Sequence, residues 1–355
     1  MPLLDQALAD EEFTFKMLIY GPSQSRKTLW AGKAAEAGFN VLYLDGDGNG
    51  TILRNIAPEF QKNILYVNAL DKIDNPVYWP FITRIFKSGK FAWDEQDKTY
   101  RASPQACNPE HSHIVFDIKK LDKNVVLVVD SYTAMANSVR WNNAILHGID
   151  LANVEKLDWD IYGPDGVSLN WWLPIVKTLP CHVIVIGHVI NAEKRSADGK
   201  TIISSRKQPI SSSNAHSLVL SKYFTDVYDF TLAGSFTRID TKASEVKEGG
   251  SRFIPPDIYT FENGPKRLLF SDLIEKAKIT SPGLKEWQSP AAVYYPPGVT
   301  PIIPGQNQAA PKPSVITTNS ATPEKVELNT GLKPSGGLKS ILSKKAAVNT
   351  EEKKS

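Results

Sequence analysis

"FKMLIYGPSQSRKTLWAGKAAEAG" (residues 15–38) decides the fold. Its opening run, "FKMLIYG", is apolar and ends in glycine, which reads as a buried strand. "KTLWAGKAAEAG" (27–38) sets Leu29, Ala31, Ala34 and Ala35 at helical spacing and stops at Gly38, a natural helix terminator. Between strand and helix lies "GPSQSRKT" (21–28). The loop pattern that cradles phosphate groups is glycine, four residues, then Gly-Lys-[Ser/Thr], placed between such a strand and such a helix. Gly21 opens the loop, Pro22, Ser23, Gln24 and Ser25 follow, and Lys27-Thr28 close it. Arg26 stands where the second glycine belongs. In this geometry main-chain N–H groups and the helix start point at the phosphates. Lys27 would meet the β- and γ-phosphates, and the Thr28 hydroxyl a Mg²⁺ ion.

Working outward, "FNVLYLDGDGNG" (39–50) is a second strand running into a glycine-rich turn. "NVVLVVDS" (124–131) and "CHVIVIGHV" (181–189) are continuous apolar runs rich in β-branched residues, the mark of strands buried on both faces. Such strands separated by helices predict an α/β fold, a mostly parallel sheet with helices on both faces. "FTDVYDFTLAG" (224–234) and "FIPPDIYTF" (253–261) are candidate edge strands. Residues 88–118 interrupt the pattern with a hairpin-like insertion around "EQDK". Cys107, His111 and His113 lie in that insertion without a second Cys or His pair, so they read as loop residues rather than a metal site.

Composition changes near residue 282. Residues 1–287 are read as the folded domain. Residues 288–355, dense in Pro, Ser, Thr and Ala, cannot bury enough apolar surface to offset chain entropy, and are expected to be mostly disordered. The tail ends on a short stripe, Leu338, Ile341 and Leu342, among Lys339, Lys344 and Lys345. It could dock as a helix on a partner or touch DNA electrostatically. A net charge of +3 sets up no global field for nucleic acid, so any basic surface must be local. Two cysteines exclude a disulfide framework and suit a reducing compartment. No signal-peptide core is visible, and no apolar run approaches the roughly 18 residues of a membrane span, so a cytoplasmic protein without a membrane partner is expected.

Three further positions carry chemistry. Asp130 ends "NVVLVVD", where a carboxylate would hold the magnesium shell, with Ser131 behind it. Asp45 and Asp47 follow the second strand, where an acidic group can polarise an attacking water. His188 sits at the tip of "HVIVIGH", where it could hydrogen-bond a γ-phosphate and report its loss.

Loop and helix, "YLDGD", "LVVDS" and "VIVIGHV", in this order on buried strands, resemble the ATPase core of the RecA family. More narrowly the chain is similar to phage-encoded RecA-like ATPases linked to single-strand annealing and recombination. The resemblance spans roughly residues 14–235. It implies a P-loop ATPase using ATP and Mg²⁺, with Asp47 on the position of the family's catalytic carboxylate, usually Glu. It implies Asp130-Ser131 as the magnesium-side motif and His188 as the polar sensor. Two departures matter: Arg26 and Gln24 replace glycines, and Asp47 is one methylene shorter than Glu. If position 26 is left-handed, arginine there costs on the order of 1 kcal/mol or more; if helical, little, and its guanidinium could add a phosphate contact.

In RecA-like proteins the loops after the Asp-Ser strand and after the sensor strand face DNA. The second corresponds to residues 191–209, with Lys194, Arg195, Lys200, Arg206 and Lys207 on a hairpin turned by "ADGK". Single-stranded DNA is therefore an expected partner. The first region carries Trp141, Trp159, Tyr162, Trp171 and Trp172, on which bases could stack; "LNWWLPIVKTL" (169–179) reads as a helix that buries Trp171 and Trp172. Lys222 and Arg238 are candidates for a finger reaching a neighbouring protomer's phosphate, should the chain form a homo-oligomer. The tail could serve a single-strand-binding or replication protein. Two other readings stay open: a nucleotide-dependent scaffold that does not hydrolyse, and a helicase or loader built on the same core.

Overall fold

The structure, a computed structural model, describes residues 14–280 except 73, 102–110, 112, 151–158, 197–201, 245–246 and 263. The expected tail (288–355) lies outside the described residues, as do Cys107 and Lys200. In chain order the elements begin β1 (Lys16–Gly21), α1 (Lys27–Gly32), β2 (Asn40–Asp45), α2 (Pro58–Gln61), β3 (Ile64–Asn68) and α3 (Tyr78–Ser88). The insertion gives β4 (Lys90–Asp94), β5 (Thr99–Arg101) and β6 (His113–Asp117). Then come β7 (Val125–Asp130), α4 (Tyr132–Leu146), α5 (Trp159–Thr178), β8 (His182–Arg195), β9 (Ile202–Pro209) and α6 (Asn214–Leu220). The described chain closes with β10 (Asp226–Ala233), β11 (Phe236–Asp240), β12 (Ile258–Thr260) and α7 (Phe270–Thr280).

The main sheet runs β12-β11-β10-β1-β8-β7-β2-β3, with β9 paired to β8. From β10 to β3 every neighbouring pair is parallel. β11 and β12 add to one edge antiparallel; the run 253–261, expected at an edge, supplies the outermost strand β12, whereas 224–234, also expected there, forms β10, an interior strand parallel to β1. The order has a consequence for the site: β1 and β7 are not neighbours, because β8 is inserted between them. The tips carrying Gly21, His188, Asp130 and Asp45 therefore line up along one sheet edge in spatial order.

The period-two alternation of each strand divides the core between two faces. Leu18, Tyr20, Leu42, Leu44, Leu127, Val129, Val183 and Val185 pack on one face with Phe81, Met135, Val139 and Trp172 from α3, α4 and α5. Met17, Ile19, Val41, Tyr43, Val126, Val128, Ile184 and Ile186 pack on the other with Trp30, Ala31 and α7's Leu273 and Ile274. Helices on both faces of a mostly parallel sheet make this the α/β architecture the sequence predicts. The strands buried on both sides are the ones legible as unbroken apolar runs.

Differences are local. The helix after the loop is α-helical only to Gly32 and continues as a 3₁₀ turn, Lys33–Ala37, before Gly38 ends it at φ 91°. β8 runs past the expected end at Val189 as far as Arg195. The insertion is a separate three-stranded sheet, β5-β4-β6. Trp172 is fully buried, but Trp171, also expected in the core, is 37% exposed. It meets Trp79 edge-on, with Lys87 over its ring.

Candidate functional site

The loop leaves β1 under tight constraint. A Cβ at Gly21 would come within 2.0 Å of the Phe230 carbonyl oxygen on β10, so only glycine fits there. Ser25 is buried, and its Oγ donates to the Pro22 carbonyl at 2.8 Å, closing the turn. Gln24 and Arg26 adopt φ of 64° and 63°. The left-handed alternative for position 26 is thus the one the backbone takes, and α1 begins directly after it. The Arg26 guanidinium pairs with Glu262 just beyond β12, whose other carboxylate oxygen accepts the Thr237 N–H at 2.9 Å. It is directed at a carboxylate in this structure, not at the mouth of the loop.

Lys27 is buried, and its ammonium lies inside the curve of the loop. It donates to the Gly21 carbonyl at 3.0 Å, the Pro22 carbonyl at 2.8 Å and Ser25 Oγ at 3.1 Å. Burial pulls its pKa down to about 8, with Asp130, Asp47 and Asp229 acting in the opposite sense. A partner anion would favour the charged form further.

Thr28 and Asp130 meet: Thr28 Oγ1 donates to Asp130 Oδ2 at 2.7 Å, from 102 residues away in sequence. Tyr43 on β2 donates to the same oxygen at 2.5 Å. Asp130 is 2% exposed, and desolvation pushes its pKa up to about 6. A hydroxyl and a buried carboxylate, both hard oxygen donors, suit Mg²⁺, and a cation there would offset the cost of burying the charge. Thr28 and Asp130 are the residues that would hold it.

The two aspartates after β2 have different tasks. Asp45 is fully buried and turned into its own loop. It accepts the N–H groups of Asp47, Gly48 and Gly50 at 2.8–2.9 Å and the Tyr66 hydroxyl at 2.6 Å. It shapes the turn. Asp47 is presented by that turn, and its Oδ2 lies 3.0 Å from His188 Nε2. The His188 N–H in turn donates to Thr133 Oγ1 at 3.0 Å. The structure thus brings Lys27, Thr28, Asp130 and Asp47 at the carboxy ends of β1, β7 and β2 together with His188, which lies within β8 level with Gly21, on the edge where open α/β sheets bind ligands.

The hairpin is formed by β8 and β9, with Lys194 opposite Ser204 and Arg195 opposite Ile202. Its expected turn, "ADGK" (197–200), lies outside the described residues. Arg206 pairs with Glu248 and Lys207 with Asp229, so both charges already have acidic partners within the chain. Arg238 pairs with Asp240 at 2.9 Å on its own strand, and Lys222 lies over the Tyr223 ring. In the insertion, His111 Nδ1 is 2.9 Å from Asp94, whose Oδ1 accepts the backbone N–H groups of Gln96 and Asp97.

Tyr43, Asp229 and Glu262 join the site unannounced by any motif. The available signals were a tyrosine two residues before "D" in "YLD" and a charged residue inside the apolar run "DVYDF". Glu262 left none, since its partner Arg26 is 236 residues away. Among the described residues no helix is long and apolar enough to cross a membrane.

No protein-family model matches the chain, and no curated protein does. Among solved structures, the chain is similar to a KaiC-like protein, PH0186, from the hyperthermophilic archaeon Pyrococcus horikoshii OT3. The TM-score is 0.34 at 13% identity, over 76% of this chain and 95% of that one. At that score the likeness carries no weight for the site, whose assignment rests on its own geometry.

Proposed function

We propose that the chain binds ATP with Mg²⁺ at the carboxy edge of its sheet and hydrolyses it, as a RecA-like, DNA-acting ATPase of phage recombination or replication. The observation that carries the reading is the 2.7 Å contact between Thr28 and Asp130. A loop hydroxyl and a buried strand-end carboxylate, distant in sequence, converge where a phosphate-bound magnesium would need both. Mg²⁺, when bound, would neutralise charge on the β- and γ-phosphates. Lys27 would exchange its loop carbonyls for phosphate oxygens, and the loop amides would fix the triphosphate. Asp47, oriented by the Asp45 turn, would take a proton from the attacking water, and His188 would keep Asp47 aimed while sensing the γ-phosphate.

Single-stranded DNA is proposed to lie along the β8–β9 hairpin. Lys194, Arg195, Lys200, Arg206 and Lys207 are the proposed contacts, and Arg206 and Lys207 would have to leave Glu248 and Asp229 to make them. A homo-oligomer and a tail-borne contact with a replication protein remain parts of this proposal, resting on the motif resemblance.

The test is phosphate release from ATP with and without single-stranded DNA. Lys27→Ala is expected to lower nucleotide affinity by at least an order of magnitude and to abolish turnover. Equal nucleotide binding by wild type and Lys27→Ala would overturn the reading. A second reading, a nucleotide-dependent scaffold, is favoured by the pairing of Asp47 with His188, which occupies the would-be base. It predicts tight ATP binding with no phosphate release in either condition.

A further inference from the structure

The hairpin brings one lysine toward the loop that neither the motif nor the proposed cycle uses. Lys207 lies on β9 opposite Asn191. Its side chain is 23% exposed and forms an ion pair with Asp229, which is 5% exposed. Asp229 sits on β10 in register with Tyr20 of β1, the residue before Gly21. The pair therefore stands beside the strand that delivers the phosphate loop.

The surroundings show why Lys207 is held there. Asp229 is paired across the sheet with Asp240 of β11, and Asp240 is neutralised by Lys247 at 2.5 Å and Arg238 at 2.9 Å. Residues 207 and 247 are themselves bridged through the backbone. Two adjacent carboxylates are thus matched by lysines from two adjoining segments. Of these two lysines, Lys207 is the one bound to the carboxylate beside β1.

Taking the ATP site above as given, we infer that Lys207 distinguishes nucleoside triphosphate from diphosphate, by leaving Asp229 for the γ-phosphate. A terminal phosphate carries more charge and more acceptor oxygens than one carboxylate, so it outcompetes Asp229 when it is present. A diphosphate lacks the terminal phosphate, and Lys207 stays on Asp229. The ladder from β9 to β8 carries the exchange to the hairpin, whose outer part bears Lys194 and Arg195. The ligand shifts the hairpin only by its differential affinity for the two pairings. That affinity is what the experiment reads.

The experiment measures the affinity of the full-length chain for a non-hydrolysable ATP analogue and for ADP, both with Mg²⁺, in wild type, Lys207→Met, Lys207→Arg and Asp229→Asn. Lys207→Met is expected to weaken the analogue roughly tenfold, the equivalent of one charge-assisted contact, and ADP less than twofold. Lys207→Arg should restore most of the difference. Asp229→Asn, which removes the competing carboxylate, should leave the analogue's affinity equal or higher. Thermal melts of each variant separate misfolding from lost recognition. If Lys207→Met weakens both nucleotides alike, or neither, the inference fails while the ATP site stands. If wild type binds neither nucleotide, the parent reading fails and this one with it.

Discussion

At the scale of single residues, Arg26 is the informative one. Its φ of 63° places an arginine where glycine carries no steric penalty, and it keeps an ion pair with Glu262. Left-handed backbone costs a non-glycine residue about 1–2 kcal/mol, whereas a surface pair is worth about 0–1 kcal/mol. The strain is therefore the larger effect. Arg26→Gly should leave stability unchanged or raise it by up to about 1 kcal/mol. Arg26→Ala, which keeps the strain and loses the pair, should lower it by up to about 1 kcal/mol. Urea unfolding midpoints check the order; alanine equal to or above glycine would show that the position is not strained. Asp130 gives a second expectation. Its pKa is raised to about 6 by burial, and a magnesium ligand must be ionised. Magnesium-dependent nucleotide affinity should grow as pH rises from 5.5 to 7.5, by roughly three- to fourfold from this group. The nucleotide's own titration adds to the slope, so the measurement is the difference between wild type and Asp130→Asn. Identical slopes would place the metal elsewhere.

At the scale of elements, α5 and α4 are tied by a buried carboxylate. Asp165 is fully buried, accepts Asn143 Nδ2 at 2.8 Å and Arg140 Nε at 3.3 Å, and burial raises its pKa. Removing it takes the carboxylate acceptor from Asn143 and from Arg140, whose guanidinium keeps its bond to the Ser212 carbonyl. Asp165→Ala should cost about 2–3 kcal/mol, read as a shift in the denaturant midpoint. A loss under about 0.5 kcal/mol would mean that the helices hold together by Leu169, Trp172 and their apolar neighbours alone. This is also the scale at which sequence is most and least legible. β1, β2, β7 and β8 stand out because a strand covered on both faces must be apolar at every position. β11, "FTRID", lies near the sheet edge and alternates exposed and buried residues, so it resembles a loop in sequence. At the site, the loop and Asp130 were readable because each closes a strand, and His188 because it follows the glycine that ends an apolar run. Which of Asp45 and Asp47 faces outward was not: both follow the same strand, and only the three N–H groups gathered by Asp45 decide it. Glu262 was hidden because its partner Arg26 lies 236 residues away, and Asp229 showed only as a charge inside an apolar run, with nothing local to name Lys207 as its partner.

At the scale of the whole molecule, β8 lies inside the main sheet between β1 and β7 and runs on to pair with β9. His182 begins it, among the rings of Phe15, Phe39 and Phe270 at 5.2–5.7 Å, and its Nδ1 accepts the Phe15 N–H at 3.1 Å. Desolvation drives its pKa down to about 3 from an ordinary 6.5. The folded chain thus refuses a proton that the unfolded chain accepts. This contribution to stability is intact above pH 6.5 and is lost as pH falls toward about 3. The loss is at most about 1.4 kcal/mol per pH unit, a few degrees in melting temperature. His182→Leu should melt lower at neutral pH, since it abandons the Phe15 N–H, yet lose less on acidification. Parallel curves for the two proteins would show that His182 titrates normally.

β8 does not stop where the core ends: it continues without interruption from that aromatic cage, past His188, to Arg195. Its buried half is a fulcrum and its projecting half an arm, so the arm cannot be re-angled without tilting the residue at the pivot. The hairpin and the imidazole that meets Asp47 are thus carried on a single strand.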